Sequence, residues 1–208
     1  VMQFDFGAAQ GLTFAGLAAH NLGTLGGSVA FQTSADGLAW SPLLTNAPAD
    51  DLPIAFRFTF IEARYWRFLF SGMSEDAPLA VGVAFLGDDV TMPRRTYQGF
   101  RPVITPTNVK LQSDVTVGGN LVGSSVVQEG ASLQLQLEYI DPAFLRGATW
   151  KEFQTQFNRG RPAFFAWRPG KYPEDIHYIW RDGQVIAPDN TGPRDFMSFS
   201  LSARVYDG

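Results

Sequence analysis

Residues 54–60 read IAFRFTF, in which Ile54, Phe56, Phe58 and Phe60 alternate with Ala55, Arg57 and Thr59. A period of two sends successive side chains to opposite faces of a strand, so this stretch is expected to be a half-buried β-strand. The pattern recurs. Met2, Phe4 and Phe6 alternate with Gln3 and Asp5, Val29 and Phe31 share a face of 28–33, and Leu133, Leu135, Leu137 and Tyr139 alternate with Gln and Glu. Glycine, proline and Asp-Gly lie between these runs, and they suit tight turns because glycine tolerates positive φ and proline fixes its own. The 21 glycines, 13 prolines and 18 phenylalanines, with only 17% charged residues, fit many short strands joined by turns. The expected fold class is mainly β.

Seven strands are expected in the first 88 residues: Met2 to Phe6 ended by Gly7, Leu12 to Ala19, Ser28 to Thr33, one anchored by Trp40, Ile54 to Phe60, Ala63 to Phe70, and Leu79 to Leu86. Glycines 23, 26 and 27 mark a loop after His20 and Asn21, and Ser34-Ala35-Asp36-Gly37 supplies a turn. This spacing predicts a β-sandwich or jelly roll. A polar break at Asp88, Asp89 and Met92 to Arg95 divides the chain into a domain 1–88, a linker 89–96 and a second domain 97–208.

In that second domain Arg101 to Pro106 reads as a connector, and Val109 to Val117 as a strand reaching a turn at Gly118-Gly119. Leu121 to Gln128 and Ser132 to Ile140 are expected to pair as a hairpin around Glu129-Gly130. Thr149-Trp150-Lys151-Glu152 has the capping-box spacing, which predicts one helix near 149–159. Trp150, Phe153 and Phe157 share its inner face and Gly160 stops it. Arg161 to Trp180 reads as a β-hairpin, with Phe164, Phe165 and Trp167 on one run and Tyr178 and Trp180 on the other. Its aromatics could form a stacking platform or a core, and core is the commoner use of aromatics on alternating strands. Phe196 to Tyr206 supplies the last strand. The domain is expected to be a β-barrel or sandwich carrying one α-helix.

The net charge of −4 and the absence of a basic cluster argue against nucleic acid as a partner. With no cysteine there is no disulfide, thiolate metal site or cysteine nucleophile. No apolar run reaches transmembrane length, and the start at Val1 within a strand-like stretch suggests that residues precede it. His20 and His177 lack ligand spacing such as H-E-x-x-H, so structural or surface roles are expected and no metal. The acidic pairs Asp50-Asp51, Asp88-Asp89 and Glu174-Asp175 read as solvated turns rather than calcium sites. Nucleophile-elbow, P-loop and dinucleotide motifs are absent, so neither an enzyme nor a cofactor is expected.

FDFG near the start, His20-Asn21, SADGLAW at 34–40 and ARYWRF at 63–68 resemble a discoidin-like, galactose-binding-like jelly roll over about the first 88 residues. The resemblance implies that Asp36, Gly37 and Trp40 form a turn between core strands, that Tyr65 and Trp66 pack the sandwich, and that an N-terminal part of the jelly roll is lacking. It also makes His20, Asn21 and Arg57 candidate carbohydrate-binding groups at loops or rim. The run from Gly118 to Ser125, the aromatic strands around Phe164, Phe165, Trp167 and Trp180, and the final MSFSLSARV resemble the C-terminal part of tail-tip and distal-tail proteins of long-tailed bacteriophages. That second resemblance implies a structural subunit of a virion tail tip or baseplate, assembled in the bacterial cytoplasm. Its partners would be other tail proteins and copies of itself in a trimer or hexamer ring, and the first domain would contact host glycans or tail proteins. A secreted or surface carbohydrate-binding module is the alternative.

Overall fold

In a computed structural model the chain is mainly β. The structure describes every residue except 74–77, 97–99, 105–108, 129, 191–193 and 207–208, so part of the expected connector at 101–106 and the turn residue Glu129 lie outside the described residues. The chain divides between Asp89 and Val90 into two compact units, each with its own core.

The first unit has five strands where seven are expected: β1 (Met2–His20), β2 (Ser28–Ser34), β3 (Ser41–Asn46), β4 (Ile54–Ser71) and β5 (Val81–Gly87). They form one antiparallel sheet in the order β3-β2-β4-β1-β5. Two expected pairs of strands are fused. Gly7 does not end the first strand but bends it: its φ is +75° and its N–H donates to Asp5 Oδ1 at 2.7 Å. The β1–β4 register then jumps from Asp5↔Tyr65 to Gln10↔Ala63, and again from Leu12↔Ile61 to Phe14↔Arg57. Bulges of this kind add residues to one strand and sharpen its bend.

The bends let a single sheet build both sides of a core. Phe56 and Phe68 lie on the same strand, and a straight strand would hold residues that far apart in sequence about 40 Å from each other. Their ring centroids are 6.2 Å apart. The sandwich is therefore made from the two halves of the same long strands, with the corner at the bulges, in the manner of orthogonal packings. Phe31 sits at its centre, stacked on Phe56 (5.9 Å) and Trp66 (5.5 Å) and 4.9 Å from Phe68. The β4 bulge also ends the alternation read over 54–60: Phe60 is 67% exposed, and its ring lies over Gly11, where a Cβ would collide with it. Of Tyr65 and Trp66, expected to pack the sandwich, and Trp40, expected at the turn between core strands, only Trp66 is fully buried. Tyr65 and Trp40 are half-buried, because Tyr65 follows the opposite parity to Trp66 and Trp40 precedes β3.

The second unit contains β6 (Lys110–Val115), β7 (Leu121–Gln128), β8 (Ala131–Ile140), α1 (Pro142–Arg146), α2 (Ala148–Asn158), β9 (Ala163–Ala166), β10 (Ile176–Arg181), β11 (Asp189–Asn190) and β12 (Met197–Val205). Its main sheet runs β11-β12-β10-β9, with β8 on the other side of β12. Val90 and Met92, within the stretch expected to be a linker, pack against this core. The expected hairpin of 121–128 with 132–140 does not form: β7 pairs with β6 and β8 pairs with β12. On β8, Leu133, Leu135 and Leu137 are buried, but Tyr139 is 45% exposed and Ile140 takes the core position. Tyr139 has φ +56° at a register shift, which flips the parity of the strand.

Two helices occur where one is expected. Asp141 caps α1 by accepting from the Ala143 N–H, with Pro142 in the first turn. The helix α2 starts from Gly147 without a side-chain cap, so Thr149 lies inside it and the capping box is not made. Its inner face is as expected, with Trp150 and Phe157 buried and Phe153 packed beside them. Gly160 ends it at φ +85°, donating to Phe157 O while Arg161 N–H reaches Gln156 O. In the 161–180 hairpin the core face is Ala163, Phe165, His177 and Ile179. Phe164, Tyr178 and Trp180 share the outer face, and Trp180 is 37% exposed, so the hairpin is only half a core element.

Candidate functional site

The residues proposed to meet a carbohydrate are buried or tied within the unit. His20 ends β1 and is 4% exposed, with Nδ1 accepting the Leu22 N–H at 3.4 Å. Burial pushes its pKa below the usual histidine value, against the pull of Asp51 and Asp50. It is not a rim group. Asn21 uses both ends of its amide: Oδ1 accepts from Ala80 N–H at 2.8 Å and Nδ2 donates to Pro78 O at 3.0 Å, tying the β1–β2 loop to the approach to β5. Arg57 is paired with Asp89 at 2.8 Å and remains 58% exposed. It stands opposite Phe14, which lies roughly 20 Å along β1 from His20 at strand rise. The three do not converge on one point.

The acidic pairs act as turn ties. Asp51 takes the Thr24 N–H and hydroxyl at 3.0 and 2.6 Å, bonds that hold its carboxyl below the usual range. Asp50 accepts the Leu52 N–H, and Asp88 accepts the Thr13 hydroxyl. Among the described residues no three His, Cys, Asp or Glu side chains gather as a metal site would require. The SADGLAW turn is similarly self-contained. Asp36 accepts from the N–H groups of Leu38 and Ala39 and from the Ser34 hydroxyl, with a lowered pKa, and Gly37 has the positive φ of +76° that the turn needs. Trp40 lies beneath the Arg67 guanidinium at 4.0 Å, and Arg67 is held by Gln32 at 2.7 Å. Tyr65 is likewise covered by Arg64, 4.8 Å away, which is anchored on Asp5 by two bonds of 2.8 and 2.9 Å.

On the second unit, Trp167 stacks on Tyr172 at 5.7 Å in the β9–β10 turn and donates to Thr96 Oγ1. Phe164 meets Tyr178 at 5.3 Å on the outer face of the same hairpin. These contacts fold the aromatics of 161–180 on one another.

The longest run of exposed residues among the described residues is elsewhere. Strands β6 and β7 form a two-stranded sheet of their own, turned at Thr116–Asn120 with Gly119 at φ +82°. Every residue from Val109 to Val127 is exposed. The register places Leu111 beside Val126, Ser113 beside Ser124 and Val115 beside Leu121 on one face, and Gln112, Ser125, Asp114 and Gly123 on the other. Leu111 is 58%, Val115 64%, Leu121 65% and Val126 55% exposed. These four apolar side chains share one face of one element rather than being scattered singly over the surface. The alternation of Leu111, Ser113 and Val115 with Gln112 and Asp114 is visible in sequence. Its exposure is not, because the expected partner strand at 132–140 pairs elsewhere. No protein-family model and no curated protein matches the chain.

Proposed function

We propose that the chain is a non-enzymatic structural subunit of the tail tip or baseplate of a bacteriophage or phage-derived particle, working at the virion's tail end after assembly in the bacterial cytoplasm. The β6–β7 hairpin carries this reading. An isolated two-stranded sheet is marginal in water, and this one holds an amphipathic pattern with its apolar face uncovered. Such an element is completed by neighbours in an assembly. The strand pattern of residues 95–207 supports the same reading through its resemblance to distal-tail proteins. The first unit serves as the peripheral module, contacting host glycans or other tail proteins through surfaces other than His20, which is buried, and Asn21, whose amide is engaged at both ends within the unit.

Size-exclusion chromatography with light scattering tests the proposal. A closed oligomer of fixed stoichiometry, trimer or hexamer, is expected, and negative-stain images should show rings. A strictly monomeric protein that binds immobilised glycans would overturn it in favour of a carbohydrate-binding module.

A further inference from the structure

We propose that Arg67, on the outer face of the first unit, is the receptor for the carboxylate of an acidic sugar, a hexuronic acid, with Gln32 and Trp40 holding its guanidinium in place. The inference rests on the reading of that unit as a module that contacts host glycans, and it names the class of sugar and the point of contact. On β4, Arg67 stands between Trp66 and Phe68, which are both buried. Alternation therefore turns Arg67 to the opposite, outer face. There its Nε–H donates to Gln32 Oε1 at 2.7 Å, and the guanidinium lies over the Trp40 ring at 4.0 Å. Gln32 is only 9% exposed, so the amide that orients the guanidinium is itself fixed by the sheet. Arg67 is half-buried and stays reachable from solvent. The guanidinium also carries N–H donors on Nη1 and Nη2, in a planar fork that matches a carboxylate. Among the described residues those donors meet no acceptor.

The other cations of the first unit are different. The unit contains no lysine, and its remaining arginines each have a carboxylate, Arg57 with Asp89 and Arg64 with Asp5, both at 2.8 Å. Arg64 is the closer comparison, because it too lies over an aromatic ring, that of Tyr65, and it too is bonded through Nε. Its acceptor is a carboxylate, whereas that of Arg67 is a neutral amide. Asp5, two residues along β1 from the partner position Gln3, is committed to Arg64 and to the Gly7 N–H. An external carboxylate can thus add a charge-assisted pair at Arg67 without displacing one. The surroundings select a sugar as its bearer. Register places Gln3 on one side of Arg67 and Gln32 on the other, with Pro42 beyond. This row holds no second charge, so it offers one contact to an anion and amides to hydroxyls. Acidic residues outnumber arginines in the unit, which repels a polyanion or an acidic protein surface, whereas a single uronate brings one charge.

Isothermal titration calorimetry of the full chain with methyl glucuronide, methyl glucoside and a blocked glutamate tests this. The glucuronide should bind with a Kd of roughly 1 mM, and the glucoside, which lacks the carboxylate, about tenfold or more weaker. That comparison uses the wild type alone and does not depend on how any variant folds. R67K keeps the charge but not the fork and should lose about tenfold in glucuronide affinity, with the circular dichroism of the wild type. K151Q, which removes one charge from an exposed position of the second unit, should bind as the wild type does. Equal affinity for the two sugars, no heat with the glucuronide, or undiminished binding by R67K overturns the receptor. A blocked glutamate that binds as tightly as the glucuronide overturns the sugar and assigns Arg67 to an acidic side chain of a partner protein. A neutral sugar bound equally by the wild type and R67K overturns the receptor while keeping the glycan-contacting reading of the unit. The assembling-subunit reading is decided separately, by the oligomeric state.

Discussion

His20 illustrates how a polar residue read as a rim group becomes a determinant of stability. The imidazole is buried at the end of β1, and burial lowers its pKa more than Asp51 and Asp50 raise it. A histidine whose folded pKa is depressed binds fewer protons than in the unfolded chain. Its contribution is present above the unfolded value of about 6.5 and is lost as pH falls through the folded value. His177 shifts in the same sense, driven by burial and partly offset by Asp175. Asp5 behaves differently. The Arg64 and Gly7 hydrogen bonds hold its carboxyl at about 2, so its contribution is present above the ordinary carboxylate value and disappears only in strong acid. The bonds of Asp36 and Asp51 also lower their pKa values, placing those losses below the same ordinary value. Between pH 7 and 5 the histidines thus dominate the slope. The urea midpoint of the wild type should fall over this window, and H20Q and H177Q should each reduce the fall. Equal slopes in the wild type and both variants would show that neither imidazole controls it.

Strands and helices show where local pattern is decisive and where it is blind. Gly7 reads as a strand end, yet glycine at positive φ serves a bulge as well as a stop, and nothing in the alternation distinguishes the two. With Gly7 at φ +75° inside β1, G7A should destabilise the first unit by about 1–2 kcal/mol, seen as a lower melting temperature. No loss would mean that the bulge relaxes. On α2, Gln154 and Asn158 both donate to Ile186 O at 2.9 and 3.0 Å, and Asn158 Oδ1 accepts the Ile186 N–H at 2.7 Å. Removing this part-buried clamp with N158A should cost about 2 kcal/mol by denaturant titration, whereas K151A, on an exposed helical position, should be near neutral. The inner face of α2 was legible because a three-aromatic stripe at helical spacing needs no knowledge of distant residues. The start was not, since α2 begins at Ala148 from Gly147, just ahead of Thr149, and Asp141-Pro142 opens a separate helix before it. Partnering was least legible of all: Leu121 to Gln128 and the β8 strand each look like half of a hairpin, and their true partners lie at Lys110–Val115 and at the far end of the chain. The exposed face of β6–β7 was hidden by that same mispairing, and the loop residues His20 and Asn21 looked available because hydrogen bonds to Leu22, Pro78 and Ala80 come only from the fold.

Two separate cores imply two stability domains. All strand pairings of β1 to β5 close within Val1–Asp89, as does the Arg57–Asp89 ion pair. The buried cluster around Phe31, Trp66 and Phe68 likewise draws on that segment alone. A domain of this size buries about 60% of the surface its unfolded chain exposes, marginal but enough for independent folding. A fragment of residues 1–89 should therefore melt cooperatively, near the midpoint that this unit shows within the full chain. The second unit carries the β6–β7 hairpin on which the assembling-subunit reading rests. An association that engages only the folded state stabilises it by mass action, so its midpoint rises with protein concentration. Calorimetry of the full chain over a hundredfold concentration range should then resolve one transition that is independent of concentration and one that climbs. If both transitions climb together, the first unit also takes part in assembly. If neither does, association contributes nothing to the folded state.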